Sequence, residues 1–86
     1  MNKQELVSKV AEISGVDKKT IEHVMNVERD VIIDTLQNGD EIYNRGFGTF
    51  RIKVRAARRA RNLKTNEMID VPEKRVVKFK PAFKLD

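Results

Sequence analysis

The chain has 86 residues, a length that favours one domain and buries only roughly 60% of the surface exposed by the unfolded chain. It has no cysteine and only one histidine, which excludes disulfides and a thiolate zinc cluster, so we expect no cofactor and no metal. A small core without such crosslinks needs another source of stability. Oligomerisation is the remaining one, and we expect a dimer.

Charge is divided unevenly along the chain, although the net charge is only +5. Residues 1–44 carry five basic and nine acidic side chains, whereas residues 45–86 carry 13 basic and four acidic ones. This asymmetry favours a polyanionic partner, either nucleic acid or an anionic membrane surface. Membrane is the weaker alternative because no apolar run approaches the ~20 residues of a spanning helix. The first residues lack the apolar core of a signal peptide, so we expect a cytoplasmic protein.

Two helices are predicted at the start of the chain. The first begins at Asn2 as N-cap, with Glu5 at the third helical position, and Gly15 supplies a left-handed stop. Asp17 caps a second helix that runs to about Gln37. These capping residues divide the first half of the chain into two helices of unequal length.

The second helix has an apolar stripe that covers roughly half of its circumference. The stripe consists of Ile21, Val24, Met25, Val27, Val31, Ile32 and Leu36. One small chain cannot cover a stripe of this width, so we expect Val31 and Ile32 to pack in a dimer core. The alternative is an apolar helix face that stays exposed to solvent.

After a turn at residues 38–40 the hydrophobic period changes from helical to two, which predicts β-strands. Residues 41–45 form a short strand, and Gly46 and Gly48 flank a tight corner. In the next strand Phe50, Ile52 and Val54 alternate with Arg51, Lys53 and Arg55, so one face is apolar and the other is cationic.

This strand is predicted to pass without a break into the arginine-rich segment at residues 55–61. Because alanine and arginine are good helix formers, a helix is the alternative for that segment. Residues 64–67 form a turn, residues 68–71 return as a strand, and Pro72 marks an edge, a bulge or the base of the ribbon. A last strand with Val77 and Phe79 on one face ends at Pro81.

The chain resembles the HU / integration host factor family of bacterial DNA-bending proteins. Its matching motifs are Met-Asn-Lys-Gln-Glu-Leu at the start, Gly46-Phe-Gly-Thr-Phe50, Arg61-Asn62 and Val77-Lys-Phe-Lys-Pro81, and together they span essentially all 86 residues. The resemblance implies an α+β fold and an intertwined dimer. It implies a helical dimerisation body at residues 1–39, a three-stranded saddle sheet at 40–55 and 72–82, and a DNA-clasping β-ribbon arm at 56–71.

The implied function is non-catalytic. The protein would bind the minor groove of double-stranded DNA with two β-arms and bend it, mostly without sequence specificity, as a nucleoid-associated protein with bent, nicked or A·T-rich duplexes preferred. Its partner in the dimer would be a second copy or a paralogous chain. The DNA-binding candidates are Lys3, Arg45, Lys53, Arg55, Arg58, Arg59, Arg61, Asn62, Lys64, Arg75, Lys78, Lys80 and Lys84. Phe47, Phe50 and Phe79 join the dimer core.

The arm tip departs from the family pattern at two positions. Leu63 stands where the family has a wedging proline, and Asn66 stands where it has a glycine. Leucine is one of the apolar side chains that unstack base steps, so we expect Leu63 to act as the DNA wedge. Asparagine tolerates a positive φ, so we expect the turn to persist.

Two other functions are compatible with the basic residues. One is a small RNA-binding or ribosome-associated protein, because basic ribbons also suit RNA. The other is a module that docks an acidic protein. Catalysis has little support, since no nucleophile has a histidine partner and no glycine loop is arranged to hold phosphate.

Overall fold

The computed structural model describes residues 1–86, and it contains two α-helices followed by five strands. The elements are α1 (Lys3–Ser14), α2 (Lys18–Gln37), β1 (Ile42–Asn44), β2 (Gly48–Arg55), β3 (Arg58–Arg61), β4 (Met68–Val71) and β5 (Lys74–Pro81). All strand pairs are antiparallel, which confirms the predicted α+β fold. The chain divides into two compact units, Met1–Asp34 and Thr35–Asp86.

The helix caps of the first unit lie where the sequence predicts them. The side-chain oxygen of Asn2 accepts a hydrogen bond from the backbone N–H of Glu5 at 2.9 Å, and Gly15 ends α1 with a φ of 74°. At the start of α2, the hydroxyl and the backbone N–H of Thr20 both donate to the Asp17 carboxylate, at 2.8 and 3.1 Å. These bonds favour the ionised carboxylate and hold the pKa of Asp17 below its ordinary value.

The first unit buries little apolar surface within one chain. Val7 is its one buried hydrophobic residue, at 2% exposure, whereas Val24, Val27 and Val31 on α2 are exposed. The apolar stripe predicted for α2 is therefore partly open to solvent in a single chain. Neither helix combines the length and the apolar character that crossing a membrane requires.

The second unit is built on a three-stranded sheet with the order β1-β2-β5. Phe50 of β2 pairs with Ile42 of β1 and with Phe79 of β5, and Ile52 pairs with Val77. Directly paired residues project on the same side of an antiparallel sheet, so these side chains form one apolar face. The predicted alternation of β2 is confirmed.

Aromatic rings converge at one end of this apolar face. The ring of Phe79 lies 5.0 Å from that of Phe50 and 5.1 Å from that of Phe47, and Phe83 stacks on Phe47 at 6.1 Å. At the corner before β2, Gly46 adopts a φ of 85°. Residues with a Cβ atom rarely adopt this conformation, so the corner favours glycine. Of the three predicted core phenylalanines, Phe47 and Phe50 thus each contact Phe79.

The expectation of an unbroken strand from β2 into the arginine-rich segment is wrong, and so is the helical alternative. β2 ends at Arg55, and β3 begins at Arg58 and pairs with β4 as a separate two-stranded sheet. Pro72 lies opposite this interruption, and its lack of an N–H prevents regular pairing there. Two residues on each strand, 56–57 and 72–73, separate the two ladders, so the register continues without a bulge.

The first strand is also shorter than the predicted 41–45, because Glu41 engages β2 through its side chain. Its carboxylate accepts a hydrogen bond at 2.9 Å from the backbone N–H of Ile52, which lies two residues beyond Phe50, the β2 member of the last regular pair with Ile42. The carboxylate thus takes the place of a backbone carbonyl at the end of the ladder.

Gly48 is the position where the sheet tolerates a side chain least. A Cβ atom there would lie 2.6 Å from the ring of Phe79 and 2.7 Å from the backbone oxygen of Lys80. We expect Gly48→Ala to lower the free energy of unfolding by about 1–3 kcal/mol, because the aromatic ring and the strand must both shift. Thr49→Ala, one position further along β2, is the matched control, and an unchanged urea midpoint for Gly48→Ala would contradict the packing.

Candidate nucleic-acid interface

The side of the sheet opposite the phenylalanines is cationic. Its paired positions are Thr49 with Lys80, Arg51 with Lys78, Lys53 with Val76, and Arg55 with Lys74. Six exposed cations therefore share this side and are called the cationic face below: Arg51, Lys53, Arg55, Lys74, Lys78 and Lys80. None of these eight paired positions is acidic.

The six cations of the cationic face form no ion pair within the chain. Arg51 lies directly opposite Lys78, and Arg55 directly opposite Lys74, so like charges repel across the strands. The chain's ion pairs, Arg29 with Asp30 and Arg59 with Asp70, involve none of the six cations. A polyanion bound to this face would relieve the repulsion.

The arm, residues 56–71, extends the cationic surface beyond the sheet. Arg58 pairs with Val71 and Arg61 with Met68, so these two arginines have apolar neighbours across the ribbon. Arg59 differs, since its Nε lies 3.4 Å from the Asp70 carboxylate. Because the register continues through the interruption, Arg59 and Arg61 follow the parity of the cationic face, and Arg58 has the opposite parity.

The tip of the arm presents Leu63 on a turn held by Asn62. Leu63 is 92% exposed. The backbone of Asn62 donates to the Glu67 oxygen at 2.8 Å and accepts from the Asn66 N–H at 2.6 Å, while its side-chain oxygen accepts from the Lys64 N–H at 3.0 Å. Asn66 adopts a φ of 59°, which confirms that asparagine supports this turn.

Asn62 is therefore a structural residue of the tip as well as a DNA-binding candidate. Its side-chain oxygen is occupied within the turn, which leaves its amide nitrogen available to an outside acceptor. The hydrogen bonds of Asn62 supply part of the order that a proline would give to the tip. An apolar side chain is thus held at the outer end of a cationic ribbon.

Other candidates lie apart from the cationic face. Arg75 pairs with Val54 on the apolar side of the sheet, and its guanidinium donates to the backbone oxygen of Gln37 at 3.3 Å, where α2 ends. Lys3 hydrogen-bonds through its ammonium to the Asn26 side chain in the first unit. Arg45, Lys64 and Lys84 are exposed in the corner, the arm tip and the C-terminal segment.

Two cations of the face are absent from the candidates that the sequence suggests. Arg51 could have been predicted from the sequence, because it alternates with the apolar residues of β2 as Lys53 does. Lys74 could have been predicted in the same way, because it alternates with Val77 and Phe79 as Lys78 and Lys80 do, whereas its pairing with Arg55 is visible only in the register. A recess beside β1 brings Glu41 next to Arg51, Lys53 and Lys78, so a carboxylate borders the cationic face.

A basic sheet face continued by a ribbon with an apolar tip is an arrangement suited to nucleic acid. The chain matches the family model described as "Bacterial DNA-binding protein" over residues 1–86, and it belongs to this family. It is 44% identical over 82 residues to DNA-binding protein HU 1 of Bacillus subtilis, with 95% of this chain and 89% of the relative covered.

A second relative and a solved structure support the same family. The SPbeta prophage-derived DNA-binding protein HU 2 of Bacillus subtilis is 48% identical over 84 residues, with 95% of this chain and 89% of that protein covered. The solved structure titled Anabaena HU-DNA cocrystal structure matches with a TM-score of 0.86 and 41% identity, covering 95% of this chain and 89% of that one. The resemblance seen in the sequence is confirmed.

The free arm arginines give a prediction for the salt dependence of DNA binding. We expect Arg58→Ala combined with Arg61→Ala to reduce the magnitude of the slope of log K against log salt by about one to two units per arm, because fewer counterions are released. Lys18→Ala with Lys19→Ala, which removes two cations at the start of α2, should leave the slope unchanged. Equal slopes for wild type and the arm variant would show that these arginines do not contact phosphate.

Proposed function

We propose that this protein is a non-catalytic architectural protein that binds double-stranded DNA and bends it. The observation that carries the proposal is the cationic face, continued by the arm to the exposed Leu63. Membership of the bacterial DNA-binding family supports the same function. The RNA-binding alternative has no support among the relatives, whose names and titles refer to DNA.

The protein acts as a dimer with a second copy or a paralogous chain. Val7 and Leu36 are the only buried hydrophobic residues of one chain, which is too small a core for 86 residues. Val31 is 57% exposed, and Phe47 and Phe79 remain partly accessible. The core of the dimer consists of Val31, Ile32, Phe47, Phe50 and Phe79.

Affinity comes from contacts with DNA phosphates. Cations on one side of a strand repeat about every 6.8 Å, so the cationic face can reach several phosphates at once. Each neutralised phosphate releases counterions, which makes binding strong at low salt and weak at high salt. Further phosphate contacts come from Lys3, Arg45, Lys84 and the arm cations. Arg75 contributes at the edge of the DNA interface.

The arms enter the minor groove of the bound duplex. Arginine side chains there distinguish A·T from G·C pairs only coarsely, so the protein has little sequence preference. It favours duplexes that are already bent, nicked or A·T-rich, because their deformation costs less free energy. These properties suit a nucleoid-associated protein of the cytoplasm.

Leu63 acts as the wedge that bends the duplex. An apolar side chain inserted at a base step unstacks it at a cost of a few kcal/mol, which the additional contacts of the bent DNA offset. Its backbone is held by the hydrogen bonds of Asn62 and not by a proline ring, so the tip is less rigid. In this division of roles, residues 1–39 dimerise, 40–55 and 72–82 form the saddle, and 56–71 clasp DNA.

The bend angle of a nicked duplex, measured by fluorescence transfer between its ends, tests this function and the wedge together. Leu63→Ala should reduce the bend more than the affinity, because the phosphate contacts remain in place. Leu85→Ala is the matched control, since Leu85 is the same residue with the same 92% exposure outside the arm. A straight duplex with the wild-type protein would contradict DNA bending, and equal bends for all three proteins would remove Leu63 from the mechanism.

A further inference from the structure

Arg59 is the one arm arginine that already has an anionic partner within the chain. It lies directly opposite Asp70 in the β3–β4 ladder, and its Nε is 3.4 Å from a carboxylate oxygen. Asp70 is the only acidic residue in the two arm strands. Both side chains are exposed, at 71% and 87%, so the pair is accessible to DNA.

A guanidinium uses the same planar donors for a carboxylate and for a phosphate. Arg59 therefore cannot make its full set of contacts with both anions at once. Arg58 and Arg61, with Val71 and Met68 opposite them, face no such competition. The arm thus contains two arginines without a carboxylate opposite them and one, Arg59, whose Nε lies beside a carboxylate.

We propose that Asp70 limits the affinity of the arm for DNA by occupying Arg59 in the free protein. DNA binding at this position is then an exchange of ion-pair partners, in which phosphate replaces the carboxylate of Asp70. Asp70 is in this sense an affinity-determining residue that acts through Arg59. This inference rests on the DNA-binding function proposed above.

The expected effect follows from the strength of exposed ion pairs. Such pairs are weak in water, so release of Arg59 should tighten DNA binding by about twofold to fivefold per arm at low salt. Loss of any negative charge near DNA also tightens binding through the long-range field. The test must therefore separate the specific contact with Arg59 from the general loss of charge.

A double-mutant cycle measured by fluorescence anisotropy on one duplex makes this separation. Its variants are Asp70→Asn, Arg59→Ala and the double variant with both changes, with Glu67→Gln as the control. Glu67 is an arm carboxylate without an ion pair, so its substitution reports the general loss of one negative charge. Asp70→Glu keeps the charge and should bind as the wild type does.

We expect Asp70→Asn to bind more tightly than Glu67→Gln, with a steeper salt dependence as Arg59 gains a phosphate. When residue 59 is alanine, Asp70→Asn should give only the gain of the Glu67→Gln control. Equal gains for Asp70→Asn and Glu67→Gln, a gain that persists without Arg59, or weaker binding by Asp70→Asn would each overturn the inference. Failure of the wild-type protein to bind DNA would instead overturn the proposed function.

Discussion

The antiparallel pairing of β2 with β5 is the constraint on which the other features depend. Because paired residues share a side of the sheet, this register places Phe50 with Phe79 on one side and Arg51 with Lys78 on the other. A slip of one residue would mix the two sets. The same pairing therefore produces an apolar side that needs a partner and a cationic side that needs a polyanion. Each side is incomplete in one isolated chain, and dimerisation and DNA binding complete them.

The arm continues the register of the β2–β5 ladder, but its two strands are less stable than the three-stranded sheet. Pro72 interrupts the ladder without shifting it, so the ribbon keeps the alternation of the sheet while losing its hydrogen bonds at residues 56–57. Two strands alone are marginal in water. The order of the tip thus depends on local bonds, chiefly those of Asn62 with Lys64, Asn66 and Glu67. An arm of this kind can adapt to the groove while its tip keeps Leu63 exposed.

The sequence alone predicts those features of the fold that depend on residues close together in the chain. The caps at Asn2 and Asp17 and the stop at Gly15 depend on neighbours within four residues, and alternation alone predicted the two sides of β2. The sequence alone did not predict the features that depend on which residues of a partner strand lie opposite. The interruption at residues 56–57 depends on Pro72 across the ribbon. The carboxylate opposite Arg59 and the pairing of Lys74 with Arg55 also become visible only with the register. The role of Asn62 in its own turn is likewise visible only in the hydrogen bonds of the tip.

A second chain completes the apolar side of this fold. The most direct measurement is thermal unfolding of the purified protein at protein concentrations that differ by about a hundredfold, together with the mass from sedimentation equilibrium. For a dimer whose chains unfold as they separate, mass action raises the unfolding midpoint with concentration. We predict a midpoint that increases with concentration and a mass of two chains. A folded monomer with a midpoint independent of concentration would contradict it.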